Sequence, residues 1–310
     1  MRILELTLEE AIDVCKALAN EQRMKILEII SSGPLNVNDI SEIMKQPFST
    51  TAVNVKKLED AGLISTHFVP GRGTQKISSS LYDRIVIDLM RPDPTEENII
   101  ILDMPVGEYV DCRVEPSCGL VSENGFLGIH DDPRSFYEPD RKLAQKLFFS
   151  RAGYVEYRFP NRLPYGCTPQ TLEFSAEMCS EAPHYRLDWP SDITVWINNI
   201  EIGTWTSPGD FGGKRGFLTP SWVTINSSQY GLLKYWTVNA QGSFIDGIQV
   251  SNVTIDQLNL TQLPFISVKI GVKDDAANQG GLNLFGKRFG NYDQDLILKL
   301  GYSTHSKANS

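Results

Sequence analysis

The feature that most constrains this chain is a change of period at Ala61-Gly62. Before it, apolar residues recur at helical spacing; after it, short alternating runs are punctuated by Gly, Pro, Asn and Asp almost to the end. A period of 3.6 lines up one helix face, whereas a period of two alternates side chains across a strand. Helices and strands grouped in this way bury their apolar faces in separate layers, and 310 residues leave room for two such cores.

In the helical part, Thr7-Leu8-Glu9-Glu10 has the form of a capping box, in which a hydroxyl and a carboxylate each satisfy an orphan amide. Leu8, Ala11, Ile12, Cys15, Leu18 and Ala19 then predict one apolar face. Asn20 is placed to cap a second helix over 21–31, which Gly33-Pro34 ends. A short third helix is expected to bury Val37, Ile40, Ile43 and Met44. Pro47 stops it, and Ser49 is expected to cap a fourth helix running to Ala61-Gly62. Strands over 63–69 and 75–79 then flank Pro70-Gly71-Arg72-Gly73-Thr74, a turn with a basic tip. This order of helices and hairpin is that of a winged helix-turn-helix, so residues 1–80 are read as a DNA-binding domain.

A net charge of −9 argues against a nucleic-acid binder until its distribution is considered. Residues 45–80 hold five bases (Lys45, Lys56, Lys57, Arg72, Lys76) against two acids (Glu59, Asp60). The acid excess lies after residue 80. A basic surface on an acidic protein is compatible with local DNA contact.

The run Ala17-Leu18-Ala19-Asn20-Glu21-Gln22-Arg23 through Leu27, then Gly33 to Leu58-Glu59-Asp60-Ala61-Gly62-Leu63-Ile64, resembles the ArsR-type winged-helix regulators. The resemblance covers the first quarter of the chain and implies a recognition helix that passes directly into the wing. It also implies a homodimer on a pseudo-palindromic operator in double-stranded DNA, and repression relieved by a ligand. Metal-sensing members carry a Cys-x-Cys pair at the start of the third helix, where this chain has Asn36-Val37-Asn38. Neutral amides do not replace thiolates, so no metal and no other cofactor is expected.

At 100° per residue, Thr51, Val55 and Leu58 of the fourth helix turn inward. Ser49, Thr50, Val53 and Lys57 turn outward, with Asn54 and Lys56 at the margins. Ser49 and Thr50 suit phosphates or base edges, Asn54 an adenine edge, and Val53 a thymine methyl. Lys56 and Lys57 supply phosphate charge, and Arg72 is placed to enter the minor groove. The first helix, with Leu4 and Leu6 ahead of it, is either the dimer contact or part of the domain core.

After residue 80 the segments 84–89, 98–102, 107–114, 153–159, 171–178, 193–198, 201–205, 232–238, 265–272 and 296–302 read as strands. One helix is expected over 141–149. Residues 81–310 are therefore read as an all-β sandwich, jelly-roll-like, which makes the chain a multidomain α+β protein. No Gly-x-Ser-x-Gly, His-Glu-x-x-His or P-loop lysine is present, so no catalytic residue is assigned and the chain is not expected to be an enzyme. His130-Asp131-Asp132 reads as an acidic turn.

All five tryptophans (Trp189, Trp196, Trp205, Trp222, Trp236) fall in one stretch, interleaved with Asp188, Asp192, Asp210, Lys214 and Arg215. Aromatic faces beside carboxylates and amides suit a sugar, so the ligand-binding set is read as Trp189, Asp192, Trp205, Asp210, Lys214, Arg215 and Trp222. Another small molecule, or simple core packing, remains open, because Trp196 runs with Ile193 and Val195 along one strand. The function expected is a DNA-binding regulator whose second domain senses a small molecule. The alternative is a carbohydrate-active enzyme, with Asp188, Asp192 and Asp210 as acids, or a protein-interaction module, fused to a DNA-binding head. The acidic N-terminus lacks a signal-peptide pattern and no apolar run is long enough for a span, so a cytoplasmic location without membrane contact is expected.

Overall fold

The computed structural model describes residues 2–71, 73–88 and 98–304. The chain divides into two compact units, Met1–Pro94 and Thr95–Ser310. Among the described residues no helix is long and apolar enough to cross a membrane.

The first unit runs β1 (Ile3–Thr7), α1 (Ala11–Leu18), α2 (Glu21–Ser31), β2 (Leu35–Asn36), α3 (Val37–Met44), α4 (Phe48–Asp60), β3 (Ile64–Gly71), β4 (Gly73–Ser80) and β5 (Arg84–Asp88). The capping box forms: the Thr7 amide donates to the Glu10 carboxylate at 3.0 Å, and the Glu10 amide to the Thr7 hydroxyl at 3.4 Å. The bonds that the Glu10 carboxylate accepts from the Thr7 amide and the Thr7 hydroxyl hold it below its ordinary pKa. Of the expected face, Ala11 is buried and Leu18 packs against the core, but the other inward residues of α1 are Val14 and Ala17. Leu8 and Ile12 are 50% and 51% exposed, and Cys15 is exposed as well.

Asn20 caps α2 by accepting from the amides of Gln22 and Arg23. The buried Arg23 donates back to the carbonyls of Ala17 and Lys16, fastening α2 to the end of α1. Asn36 caps α3, accepting from the Asp39 amide at 2.9 Å, which gives this asparagine a structural task. Val37, Ile40 and Met44 are buried as expected, whereas Ile43 is 54% exposed. Pro47 precedes α4, and the helix starts at Phe48, so Ser49 lies inside its first turn and is not the cap. Val55 and Leu58 join Ile26, Ile40, Leu63 and Ile64 in one core.

β3 and β4 pair from Ile64↔Ser80 to Gly71↔Gly73, and β2 adds to the outer edge of β4. This is the wing. A strand pair outside the expected pattern joins β1 and β5 in parallel, Ile3↔Arg84 through Thr7↔Asp88. β5 lies past residue 80 and still belongs to the first unit through this pairing.

The second unit contains β6 (Ile99–Met104), β7 (Asp111–Arg113), β8 (Cys118–Ser122), β9 (Gly125–Leu127), β10 (Lys146–Phe149), β11 (Gly153–Pro160) and β12 (Cys167–Cys179). It continues with β13 (Ser191–Ile197), β14 (Ile200–Ser207), β15 (Leu232–Asn239), β16 (Gly242–Ile245), β17 (Ile248–Ser251), β18 (Phe265–Val272), β19 (Leu282–Phe285) and β20 (Leu296–Thr304). One sheet has the order β17-β16-β15-β12-β19-β10-β8-β9, with β20 pairing to β12 and β6; the other is β14-β13-β18-β11-β7.

Alternation builds the core between the two sheets. Leu172, Phe174, Ala176 and Met178 of β12 meet Val155, Tyr157, Ile193, Val195, Val268 and Ile270 of the smaller sheet. The second unit is therefore a β-sandwich, as expected. Trp236 is fully buried in this core, while Trp196 falls on the opposite face of β13 from Ile193 and Val195 and is half-buried. The helix expected over 141–149 does not form. Residues Pro139–Leu143 make a 3-10 turn and Lys146–Phe149 a strand. A short apolar run carries no period of its own, and here pairing to β8 and β19 decides it. The 107–114 segment likewise holds only the short β7, after a 3-10 turn at Val106–Glu108.

Cys112, Cys118, Cys167 and Cys179 are buried free thiols.

Candidate DNA-reading face and ligand pocket

The first-unit site is the outer face of α4. Ser49, Thr50, Val53, Lys56 and Lys57 are all exposed, with Val53 at 55%. Thr51, Val55 and Leu58 are held in the core, which fixes the rotation of the helix. Asn54 is not at the exposed margin. It lies one turn before Leu58 on nearly the same face, is 9% exposed, and its amide donates to the Thr50 carbonyl at 3.2 Å. Phe48, which sequence reasoning did not select, is 54% exposed at the start of the same helix.

Lys76 in the wing is paired to Glu59 at 2.8 Å, and this bond, with a second from the Thr66 hydroxyl, holds the Glu59 carboxyl below its ordinary range. Its charge is thereby partly spent, leaving Lys56 and Lys57 as the α4 cations. Arg72 lies outside the described residues.

The second-unit site is built on the face of the larger sheet that points away from the sandwich core. On β10, Leu147 and Phe149 enter that core, so Lys146 and Phe148 face the other way. Register sets Lys146 between Val121 and Phe285, and Phe148 between Gly119 and Asn283. A Cβ on Gly119 would come within 2.7 Å of the Phe148 ring, so the glycine makes room for that ring. The segment between β14 and β15 folds back here: Val223 and Phe211 pack with Phe148, Phe285 and Phe289 in a second apolar cluster.

A cavity of about 390 Å³ opens at this place. Its aromatic lining is Phe126, Phe148, Trp222 and Phe289, and its ionisable lining is His130, Lys146, Glu181 and His184. Phe126 meets both His130 and Trp222 edge-on, with centroids at 4.8 and 5.9 Å, and the Trp222 indole N–H donates to the Glu123 carbonyl at 2.7 Å.

The buried Lys146 amine donates to the Ser228 carbonyl at 3.2 Å and lies among the rings of Phe148, Phe285 and Phe289, at 5.5, 5.1 and 5.8 Å. Glu181 Oε2 accepts from Asn283 Nδ2 at 2.7 Å and from the Ser228 hydroxyl at 3.3 Å. Burial, helped by the nearby Asp210 charge, raises its pKa to about 7 against the opposing pull of Lys146.

Of the residues predicted from the sequence, Trp222 lines this cavity. Asp210 sits behind its wall, fully buried, with Oδ2 accepting from the Ala182 amide at 3.0 Å and the Ser228 hydroxyl at 2.9 Å. Burial raises its pKa too, with Lys146 pulling the other way. The others are elsewhere. Trp189 donates to the Glu181 carbonyl and stacks under Arg186. Asp192 is tied to Thr206 and Asn278; burial raises its pKa, and these bonds more than offset that. Trp205 packs against the core beneath Lys234. Lys214 is exposed, and Arg215 braces the carbonyls of Pro220 and Val223. Lys146, Glu181, Phe126 and Phe148 were missed. Only Lys146 left a signal, a charge inside an apolar run.

Residues 20–66 match the model of the family described as "Bacterial regulatory protein, arsR family". No curated protein matches the chain. A solved homodimeric winged helix-turn-helix DNA-binding domain of a possible ArsR-family transcriptional regulator from Mycobacterium bovis is 27% identical, with a TM-score of 0.22. That alignment covers 24% of this chain and 65% of the other, so the chain spans just under two thirds of that structure. Reduced HlyU from Vibrio cholerae N16961 is 24% identical over 23% of this chain and 73% of its own, with a TM-score of 0.22. A carbohydrate-binding module in complex with calcium and xylotriose aligns at 10% identity over 51% of this chain and 79% of its own, with a TM-score of 0.23. Within this chain, residues 20–66 are an ArsR-family helix-turn-helix domain.

Proposed function

We propose that the chain is a homodimeric repressor that reads an operator with α4, and that a small molecule bound in the Lys146–Glu181 cavity changes its operator affinity. The observation that carries the DNA part is the division of α4, with Thr51, Val55 and Leu58 locked inward and Ser49, Thr50, Val53, Lys56 and Lys57 left in solvent. Ile12 on α1 and Leu8 in the turn ahead of it, each about half exposed, support a dimer through α1. Their apolar area contributes only when a second surface covers it.

A sugar is the favoured effector class, because rings of Phe126 and Trp222 share the cavity with Glu181, Lys146 and Asn226. The reading is binding without turnover. Asp210 is fully enclosed and committed to Ala182 and Ser228, Asp192 is committed to Thr206 and Asn278, and Asp188 is exposed and does not line the cavity, so none of the expected acids faces Glu181 across it.

The test is selection of binding sites from random duplex DNA with the full chain, followed by anisotropy titration of the winning site with and without a sugar panel. Enrichment of a two-fold-related motif that is lost in the Ser49→Ala/Val53→Ala variant is expected. Failure to enrich any motif overturns the DNA reading; an affinity unmoved by every sugar overturns the sugar assignment.

A further inference from the structure

We propose that the effector of the Lys146–Glu181 cavity carries an ammonium group, an amino sugar being the class that fits. This rests on the reading of the cavity as an effector site.

The first ground is charge. Besides the histidines His130 and His184, the cavity is lined by one lysine, the buried Lys146, and one carboxylate, Glu181, with the buried Asp210 behind the wall. The Lys146 amine is already engaged by the Ser228 carbonyl and three aromatic rings. With both acids ionised and the two histidines neutral, one negative charge is left over, and the acid lining the cavity is Glu181.

The second ground is a shortage of donors. Ser228 Oγ approaches Asp210 at 2.9 Å and Glu181 at 3.3 Å, but a hydroxyl has one proton to give, and the shorter contact takes it. Asn283 Nδ2 divides its two hydrogens among the Ser180 carbonyl at 2.6 Å, Glu181 Oε2 at 2.7 Å and Ser228 Oγ at 3.1 Å. Glu181 is left with spare acceptor capacity facing the cavity.

The third ground is the remaining lining. Phe126, Phe148 and Trp222 offer π faces to an ammonium, and an anion there would meet two carboxylates instead. A sugar ring supplies the C–H surface for the same aromatics, so the amino sugar satisfies both halves of the site. Binding fixes Glu181 in its ionised form and expels its proton where it had been held. The other ionisable groups around it are Lys146, Asp210, His130 and His184, with Cys179 behind Asp210.

Titration calorimetry of the full chain tests this with glucosamine, glucose, N-acetylglucosamine and gluconate. It is run at about pH 6 in two buffers of different ionisation enthalpy. Glucosamine is expected to bind at least about tenfold tighter than glucose or N-acetylglucosamine, with net proton release. Glu181→Gln is expected to erase that preference while glucose still binds. The comparison of glucosamine with its acetylated form uses the native chain and does not depend on the variant folding. Glucose or gluconate binding as tightly as glucosamine overturns the ammonium assignment and leaves the sugar reading standing. An amine preference that survives in Glu181→Gln overturns the role of Glu181. No binding of any of the four overturns both the ammonium and the sugar assignments, and leaves operator reading by α4 untouched.

Discussion

Replacing Glu181 by glutamine should change how the second unit's stability depends on pH. The Glu181 pKa rises from its ordinary 4.5 to about 7 in the folded chain, chiefly through burial. Below 4.5 the carboxyl is protonated in both folded and unfolded chains, and the substitution should be nearly neutral. Between 4.5 and about 7 the unfolded chain ionises first, so the folded wild type loses stability progressively. Above that range the full penalty is present. At 1.36 kcal/mol for each pKa step it reaches roughly 3 kcal/mol, a ceiling because Asp210 relaxes when its neighbour is neutral. Glutamine keeps an acceptor for Asn283 Nδ2, so Glu181→Gln should be the more stable form at alkaline pH by up to that amount. The assay is urea unfolding followed by tryptophan fluorescence across a pH series. All five tryptophans lie beyond residue 188, inside the second unit, so the signal reports that unit alone. Wild-type and variant midpoints that run parallel from about pH 5 to about pH 8 would refute the reasoning.

Lys56→Ala and Lys57→Ala should each reduce the slope of log affinity against log salt by about 0.9 if each neutralises one phosphate, and an unchanged slope in anisotropy titrations removes that lysine from the interface. Ile12→Glu, at a side chain 51% exposed on α1, should shift the chain to a monomer in light scattering without altering its circular dichroism; a persistent dimer places the interface elsewhere. Phe174→Ala, at a fully buried ring packed 6.1 Å from Trp236, should cost about 3–5 kcal/mol of second-unit stability, and a loss below about 1 kcal/mol would contradict the packing described.

The head was largely legible because its signals are local. A capped helix, a glycine stop and a turn flanked by strands are written within a few residues of one another, and Asn20, Thr51, Val55 and Leu58 behave as their spacing requires. The failures there have tertiary causes. Leu8 and Ile12 share helical spacing with residues that do pack, but Ala11, Val14 and Ala17 take the inner side. Asn54 is polar and was placed at a margin, yet its offset from Leu58 puts it under cover. The β1–β5 pair joins residues some eighty positions apart and leaves no local trace.

In the second unit the sandwich was legible from alternation and turns, whereas the cavity was not. Its walls come from β8–β10, the Glu181–His184 segment, the 222–228 segment and Phe289, and only the register of β8, β10 and β19 brings them together. Clustering of tryptophans in sequence proved a poor guide to clustering in space. Trp222 reaches the cavity, while Trp236 is core, Trp205 leans on the core and Trp196 lies on the opposite face of its strand.

The distribution of thiols makes the first helix chemically addressable. Burial pushes Cys118 up to about 11 and raises Cys112, Cys167 and Cys179 as well, so the reactive thiolate is scarce wherever the side chain is enclosed. Cys15 alone is exposed, on the same side of α1 as Ile12. An alkylating reagent therefore footprints one patch of the native chain, with no engineered label. In a dimer joined through α1 that patch closes over its own reporter, and its alkylation rate becomes a reading of how much of the protein is paired.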